Sequence, residues 1–355
     1  MDLYILNGLS GVSNIIKTFQ SVIWNVQYYG ANEFQLVVEA SQENVDALKP
    51  GTMLVRDMDI SGDTYNNVMV IQNYKLDLDV EKGWLLTLSG TGLKNYLLKR
   101  RIVWSQTNLT GNAETGIRSV ITDNVIAPLD IKRKIDNFIL ADAKGFTDTI
   151  DLQLFGENVA DWLTEICTTY GYGWDVYISD GKYVFNLYQG TDRTYDQDIV
   201  TPVVFSPEYD NLLSSSYVYN MEEYKNAALI GGEGEGTSQR TTSIGTAEGL
   251  NRYEMYVDGS SVSSNGEIIT LEQYLAMLRD YGQTQLNNTA YTESFSGNID
   301  ANGLYTINED FFLGDLVQIE NEKGITATPR IIEVIYAEDE SGSSVVPTFS
   351  QWEVE

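Results

Sequence analysis

Apolar and polar residues alternate along much of the chain, and a period of two predicts strands. The clearest case runs from Trp174 to Tyr188. Trp174, Val176 and Ile178 share one face, Asp180-Gly181 forms a turn that tolerates positive φ, and Tyr183, Phe185 and Leu187 return on one face. A second hairpin sets Leu76, Leu78 and Val80 before Glu81-Lys82-Gly83, with Trp84, Leu86 and Leu88 after it. One of its faces is apolar, and the other carries Lys75, Asp77 and Asp79.

Helical spacing is rarer. Val159, Trp162, Leu163, Ile166, Cys167 and Tyr170 form one stripe, closed by Gly171. Ile117, Val120, Ile121 and Val125 form another that ends before Pro128. Thr270 and Gln273 predict a capping box, with Leu271, Tyr274, Leu275 and Leu278 on the helix they open. Ser41 suits the start of a short helix that stops at Pro50-Gly51. Gly231 to Gly236, and Asp258 to Gly266, read as linkers or mobile loops. There is also a faint internal repeat. Residues 50–55, before a strand from Val68 to Tyr74 and a long hairpin, echo Leu313 to Ile319 before a strand from Arg330 to Tyr336 and another hairpin.

Composition narrows the chemistry. The 355 residues hold 51 Asp and Glu against 22 Lys and Arg, a formal charge of −29, with no histidine and one cysteine. Without histidine there is no Ser-His or Cys-His nucleophile pair and no imidazole ligand for a metal. A single cysteine gives no intrachain disulfide framework and no thiolate zinc cluster. So few bases argue against a surface that grips phosphates. No stretch approaches 18 apolar residues, which predicts no membrane span by this chain. Met1-Asp2-Leu3 lacks the basic start of a signal peptide, so synthesis in a cytosol is expected.

Each candidate chemical motif is outweighed by a plainer reading. Asp57 to Asp63 has oxygen ligands and a glycine spaced as in a calcium loop, but Val68 stands where a bidentate Glu is needed, so an acidic turn is expected. Glu233 and Glu235 would repel phosphate from the glycine run around them. Cys167 lies on an apolar helical stripe and reads as a small core residue. A carboxylate-pair glycosidase needs only two acids, but sequence picks no pair among 51. Catalytic, cofactor-binding and metal-ligating residues are therefore expected to be absent. Two basic features remain. Lys99-Arg100-Arg101 closes a short helix after Leu97-Leu98, where cations suit the helix dipole and can pair with acids of a neighbouring subunit. Asp192-Arg193 follows the Trp174 hairpin, and Arg193 can clamp a carboxylate or backbone carbonyls, within the chain or across an interface.

These residues also carry a resemblance. The chain resembles the tail baseplate hub proteins of phages and phage-derived contractile particles, in the siphovirus hub-like group. The matching stretches are Trp24 to Tyr29 with Glu33-Phe34-Gln35-Leu36, Gly90 to Arg101, Gly173-Trp174 through Arg193-Thr194, Phe205-Ser206, Asn211-Leu212, Lys225-Asn226, Gly231 to Gly236 and Leu313 to Val317. Arg100, Arg101, Asp192, Arg193, Gly314 and Asp315 fall in them as fold and assembly positions, none catalytic.

The resemblance implies an α+β, mainly β fold. It would have two tube-like β-barrel domains, a smaller α+β domain and a helix-containing insert. The expected divisions are 1–105 for the first barrel, 106–205 for the α+β domain, 206–236 with 291–355 for the split second barrel, and 237–290 for the insert. It implies a homotrimeric ring in a virion tail or tail-like particle, without a cofactor. A tail tube or distal tail protein would lie above it and a spike or fibre below, with a tape-measure protein as a further partner. Duplex DNA would pass through the ring without specific binding. A β-rich carbohydrate-binding adhesin and a carboxylate-pair glycosidase are the alternatives. For a ring, the charge of −29 becomes an expectation that acids line the lumen.

Overall fold

A computed structural model of the chain describes residues 1–264, 269–299, 303–324 and 326–351. The fold is α+β and mainly β. Two compact units divide it, residues 1–215 with 296–350 and residues 216–295 with 351–355.

The first unit opens with strands β1 (Leu3–Leu6), β2 (Val12–Ile16), β3 (Ser21–Gln27) and β4 (Glu33–Glu39). In β3 and β4, Val22, Trp24, Val26, Phe34, Leu36 and Val38 enter the core while the residues between them face outward. Helix α1 (Gln42–Ala47) starts at Ser41, whose hydroxyl accepts from the Asn44 N–H. β5 (Met53–Arg56), short strands β6 (Ile60–Ser61) and β7 (Thr64–Tyr65), and the long hairpin of β8 (Met69–Asp79) and β9 (Gly83–Gly92) follow, then α2 (Leu93–Leu98).

The next stretch carries the two predicted helical stripes. It comprises β10 (Thr107–Asn112), α3 (Ala113–Ile121), β11 (Phe138–Leu140), β12 (Thr149–Leu154), α4 (Val159–Tyr170), β13 (Gly173–Ser179), β14 (Lys182–Tyr188) and β15 (Asp192–Arg193). Ile117, Val120 and Ile121 on α3, and Val159, Trp162, Leu163, Ile166 and Cys167 on α4, are all buried. Gly171 ends α4 in the left-handed conformation, which costs a glycine least. The β13–β14 turn is Asp180-Gly181, both with positive φ. One apolar core runs through Val55, Val70, Leu97, Ile117, Leu163 and Trp174, so residues 1–105 and 106–205 pack as one body.

After β16 (Val204–Phe205), β17 (Leu212–Asn220) leads into the second unit, where β18 (Ala227–Gly231), β19 (Thr241–Ile244) and β20 (Glu254–Asp258) form a small sheet. The sequence reading put residues 227–231 in the second barrel; they pair instead with 241–244 and 254–258. Helix α5 (Leu271–Asn287) covers this sheet with Tyr274, Leu278 and Leu286 against Ala228, Ile230 and Val257. Thr270 and Gln273 make the predicted capping box. Gly231 to Gly236, expected as a linker, is tied down: the Glu233 N–H donates to Tyr274 Oη at 2.7 Å and its carboxylate accepts from the Ser264 N–H at 2.8 Å. The other expected loop, Asp258 to Gly266, extends beyond the described residues. The chain returns through β21 (Thr292–Ile299) to β22 (Leu316–Glu320), β23 (Thr326–Ala327), β24 (Ile331–Asp339) and β25 (Gly342–Gln351).

A large curled sheet has the order β17-β21-β25-β24-β3-β4-β9-β8-β5-β1-β2. At its centre β24 pairs antiparallel with β3, setting Val334 beside Val26 and Tyr336 beside Trp24. The strands and hairpins that follow the two echoing stretches occupy equivalent places here, whereas the echoing stretches themselves enter different sheets, as β5 and β22. β3-β4-β9-β8 and β17-β21-β25-β24 each read, by chain order, first, second, fourth and third. Each ends in a long hairpin with an Asp-closed turn. Asp79 Oδ1 accepts from the Glu81 and Lys82 N–H groups, and Asp339 Oδ1 accepts from the Ser341 N–H.

Candidate assembly surface

Four of the six residues singled out by sequence converge. β15 pairs in parallel with β22, placing Asp192 beside Leu316 and Arg193 beside Val317. The Arg193 Nε donates to Asp315 Oδ2 at 2.6 Å. Asp315 is buried and also accepts from the Thr191 N–H (2.7 Å) and the Phe312 N–H (3.0 Å), so both its oxygens are occupied. Asp192 Oδ1 accepts from the Thr194 N–H and hydroxyl. Gly314 has φ +99, and a Cβ there would lie 2.3 Å from Tyr28 Cε2. A Cβ on Gly190 would lie 1.9 Å from the Gly314 carbonyl oxygen. Only two glycines let these backbones cross so closely.

Tyr28 lies beneath the crossing, fully buried, with its hydroxyl accepting from the Gly190 N–H at 3.2 Å and within reach of the Gly171 carbonyl at 3.1 Å. Burial pushes its phenol up to about 12. Arg330 lies over its ring and donates to the Gly314 carbonyl. The carboxylate that Arg193 clamps is thus in the same chain.

Arg100 and Arg101 lie elsewhere and pack locally. Arg100 stacks over Tyr96 at 3.8 Å, and the Arg101 Nε donates to the Arg133 carbonyl at 2.9 Å. Burial, with Arg133 and Arg100 nearby, lowers the Arg101 pKa. Lys99 lies within 3.8 Å of Asp161 on an exposed surface.

The outward face of the curled sheet is mainly polar, with an apolar minority. Cross-strand pairing puts Glu333, Ile335, Ala337 and Asp339 of β24 on one face with Ile23, Asn25 and Gln27 of β3, Glu33, Gln35, Val37 and Glu39 of β4, Leu85, Ser89 and Thr91 of β9, and Asn73, Lys75 and Asp77 of β8. Amides and hydroxyls hold Glu333 in place, since Asn25 Nδ2, Gln27 Nε2 and Thr348 Oγ1 all donate to it. Lys75 is the one cation among these residues, and its ammonium sits 2.8 Å from Asp77. The sequence predicted this alternation, but which strands would join into one face depends on long-range pairing.

Both long hairpins turn at an aspartate, with Val80 to Lys82 closing the first and Glu340-Ser341 the second, and they differ on one flank. Tyr74, Leu76, Leu78 and Trp84 lie on the face opposite Lys75 and Asp77; Leu78 is 62% exposed and Trp84 53%. Counting back from the equivalent aspartates, Leu76 and Leu78 correspond to Tyr336 and Glu338. Counting on from Gly83 and Gly342, Trp84 corresponds to Ser343. Among the described residues, no strand pairs with the outer edge of β8 from Gln72 to Asp79.

Two buried cations were invisible in the sequence. Arg56 is 1% exposed, lies 4.0 Å above the Tyr336 ring and pairs with Asp59 at 2.5 Å. Asp59 belongs to the calcium-like stretch and also accepts from Asn67 Nδ2. Lys94, also 1% exposed, donates to the carbonyls of Gln27 (2.7 Å) and Trp174 (3.2 Å). Burial lowers its pKa to about 8, against the opposing pull of Asp175. Either could have been suspected only from its position between buried apolar residues. Cys167 is buried, and its thiol is pushed up to about 12. Among the described residues, no three His, Cys, Asp or Glu side chains gather as a metal site, and no helix is long and apolar enough to cross a membrane.

The fold is shared with solved proteins over nearly its whole length. The tail protein from Neisseria meningitidis is 15% identical, with 99% of this chain and 96% of that one covered at a TM-score of 0.57. The 43 kDa tail protein of prophage MuSo2 from Shewanella oneidensis is 14% identical, with 98% of both chains covered at 0.58. The prophage tail protein gp18 from Listeria monocytogenes is 11% identical, with 99% and 94% covered at 0.53. At such identities the likeness is one of fold. No curated protein matches the chain in sequence. A family model, however, matches residues 2–349, spanning every stretch on which the resemblance rests, and the chain belongs to the Siphovirus ReqiPepy6 Gp37-like protein family.

Proposed function

We propose that the chain is a non-enzymatic structural component of a phage tail or tail-like contractile particle, and that three copies close into its baseplate hub ring. The observation that carries this reading is the repeated four-strand order within one sheet. Two equivalent sets per chain give a trimer six quasi-equivalent positions. Such a ring can stack on a six-fold tail tube or distal tail protein and present three-fold symmetry to a spike or fibre.

Strand geometry supports the size. At about 4.8 Å between strands, three copies of the eight strands from β17 to β8 give a wall about 115 Å around and about 37 Å across. Strand tilt only widens it. Lining it with side chains leaves about 27 Å, more than an α-helix of about 11 Å needs, which suits passage of a tape-measure protein. The free edge of β8 would pair with the next copy, removing an exposed edge.

The polar face would then line the channel. Its acids and small amides repel or ignore phosphate, so DNA would slide through without adhering. The division into two tube-like domains, an α+β domain and an insert belongs to the same reading, as does assembly from the host bacterial cytoplasm.

Mass photometry and cryo-electron microscopy of the purified protein, or of the particle, test this. Three-fold rings with Glu33 and Glu333 on the inner wall are expected. A monomer in the particle, or a basic lumen, would overturn it.

A further inference from the structure

Six of the 22 cations lie in two short runs, Lys99-Arg100-Arg101 and Lys132-Arg133-Lys134. The fold joins them. The Arg101 Nε donates to the Arg133 carbonyl at 2.9 Å, and the Arg133 Nη2 donates to the Ile102 carbonyl at 2.6 Å. The outer lysines have acids, Asp161 beside Lys99 and Asp136 beside Lys134. Among the described residues, Arg100, Arg101, Lys132 and Arg133 pair with none, in a chain with 51 acids to offer.

Beside them lies a cavity of about 480 Å³, lined by Trp104, Thr107, Ala127, Leu129 and Arg133, with Asp123 also in its wall. The Arg133 guanidinium sits 4.9 Å from the centre of the Trp104 ring. Leu129 is 91% exposed and Ile131 71%. Guanidiniums fixed by backbone carbonyls, next to uncovered apolar side chains, match an apolar anchor flanked by carboxylates.

The same chain carries such an anchor. Between β15 and β16, Asp196 and Asp198 flank Gln197 and precede Ile199, which is 92% exposed. Gln197 ties the loop together: its Nε2 donates to the Thr194 and Val200 carbonyls, and its Oε1 accepts from the Ile199 and Val200 N–H groups. Ile199 is thus held out in solvent on a fixed backbone, and an anchor already in place loses little freedom on docking. Both aspartates are exposed, and neither has a cation partner among the described residues.

We propose that Asp196, Asp198 and Ile199 of one copy dock on the Arg101–Arg133 surface of a second copy, with Ile199 entering the cavity beside Trp104. The inference rests on the ring reading and names a contact within it. Two different patches meet, so the contact is heterologous, the kind that closes rings. A nucleic acid would bring phosphates and nothing to cover Leu129 and Ile131. An anionic membrane presents a continuous negative layer that must also face Asp123, Asp130 and Asp136, whereas two carboxylates can be set on the guanidiniums alone.

Sedimentation velocity of the full chain over a concentration series tests this. Asp196→Lys with Asp198→Lys leaves the Gln197 bonds intact and is expected to weaken self-association about tenfold or more, as is Arg133→Glu. Arg133 also bonds a backbone carbonyl, so Arg100→Glu with Lys132→Glu, both on exposed side chains, keeps the test usable if Arg133→Glu does not fold. Combining the reversed loop with Arg100→Glu and Lys132→Glu in one chain is expected to restore association, because each copy again offers opposite charges. Rings whose association is unchanged by reversal of either patch in a folded variant, or not restored by the combination, would overturn this contact and leave the ring reading standing. A wild-type chain that stays monomeric, in solution and in the particle, would overturn both.

Discussion

Removing the Asp315 carboxylate tests the crossing of β15 and β22 most directly. Asp315 is 2% exposed and accepts three hydrogen bonds, from Arg193, Thr191 and Phe312. Asp315→Ala leaves the Arg193 guanidinium without its counter-charge and two backbone N–H groups without acceptors. Breaking a buried pair from one side costs about 4 kcal/mol. Asp315→Asn keeps an acceptor for Thr191 but turns a donor toward Arg193 or Phe312, at about 2 kcal/mol. Adding Arg193→Met to Asp315→Ala removes the stranded cation and is expected to restore about half the loss, because the cost is chiefly one of an unpaired charge. Urea unfolding followed by tryptophan fluorescence reads this out. Five of the six tryptophans, Trp24, Trp84, Trp104, Trp162 and Trp174, lie in the first unit, so the signal chiefly reports that unit. An Asp315→Ala midpoint within about 1 kcal/mol of wild type, or strict additivity in the double variant, would refute the reasoning.

Other expectations follow from the same contacts. Gly314→Ala must place a Cβ at positive φ and 2.3 Å from Tyr28, so it is expected to yield insoluble protein on expression, or to lose more than about 3 kcal/mol in the urea assay. Lys94 has a folded pKa near 8, below its unfolded value of 10.5, so the unfolded chain binds more protons between these values and stability rises with pH there, by up to about 3 kcal/mol. From about pH 9 the raised pKa of Cys167 opposes this rise, and above about pH 10 that of Tyr28 reverses it, because the folded state retains both protons longer. Melting temperatures from about pH 7 to 9 should show the rise in wild type and not in Lys94→Met. Leu78→Asp, on the exposed hairpin flank, should leave the stability of the single chain within about 0.5 kcal/mol and reduce assembly in mass photometry; unchanged assembly would remove this flank from the interface.

The local architecture was legible because it is written in periodicity and caps. The Trp174 hairpin needed only alternating apolar residues and Asp180-Gly181, and α5 needed only Thr270, Gln273 and its stripe. What could not be read was pairing at a distance. Nothing near Tyr336 announces Trp24 as its neighbour, and Arg193 carries no mark of Asp315, 122 residues away. Arg56 and Lys94 stayed hidden for a different reason. Charge in a sequence suggests solvent, and only packed surroundings reveal that Asp59, an aromatic ring and two carbonyls replace the water. The position of residues 227–231 turned on a similar ambiguity, since an apolar strand fits any sheet with a free edge.

The two long hairpins hold a lesson about how such a chain can change. In each, an aspartate lowered in pKa by the donors of its own turn fixes where the strands reverse. The flank beside it is under no such constraint. Leu78 stands where its counterpart is Glu338, each one residue before the aspartate at which its strand turns. A pair of hairpins with this arrangement separates geometry from chemistry. Single substitutions on that flank can retune what the protein touches, one copy at a time, while the fold that presents them stays intact.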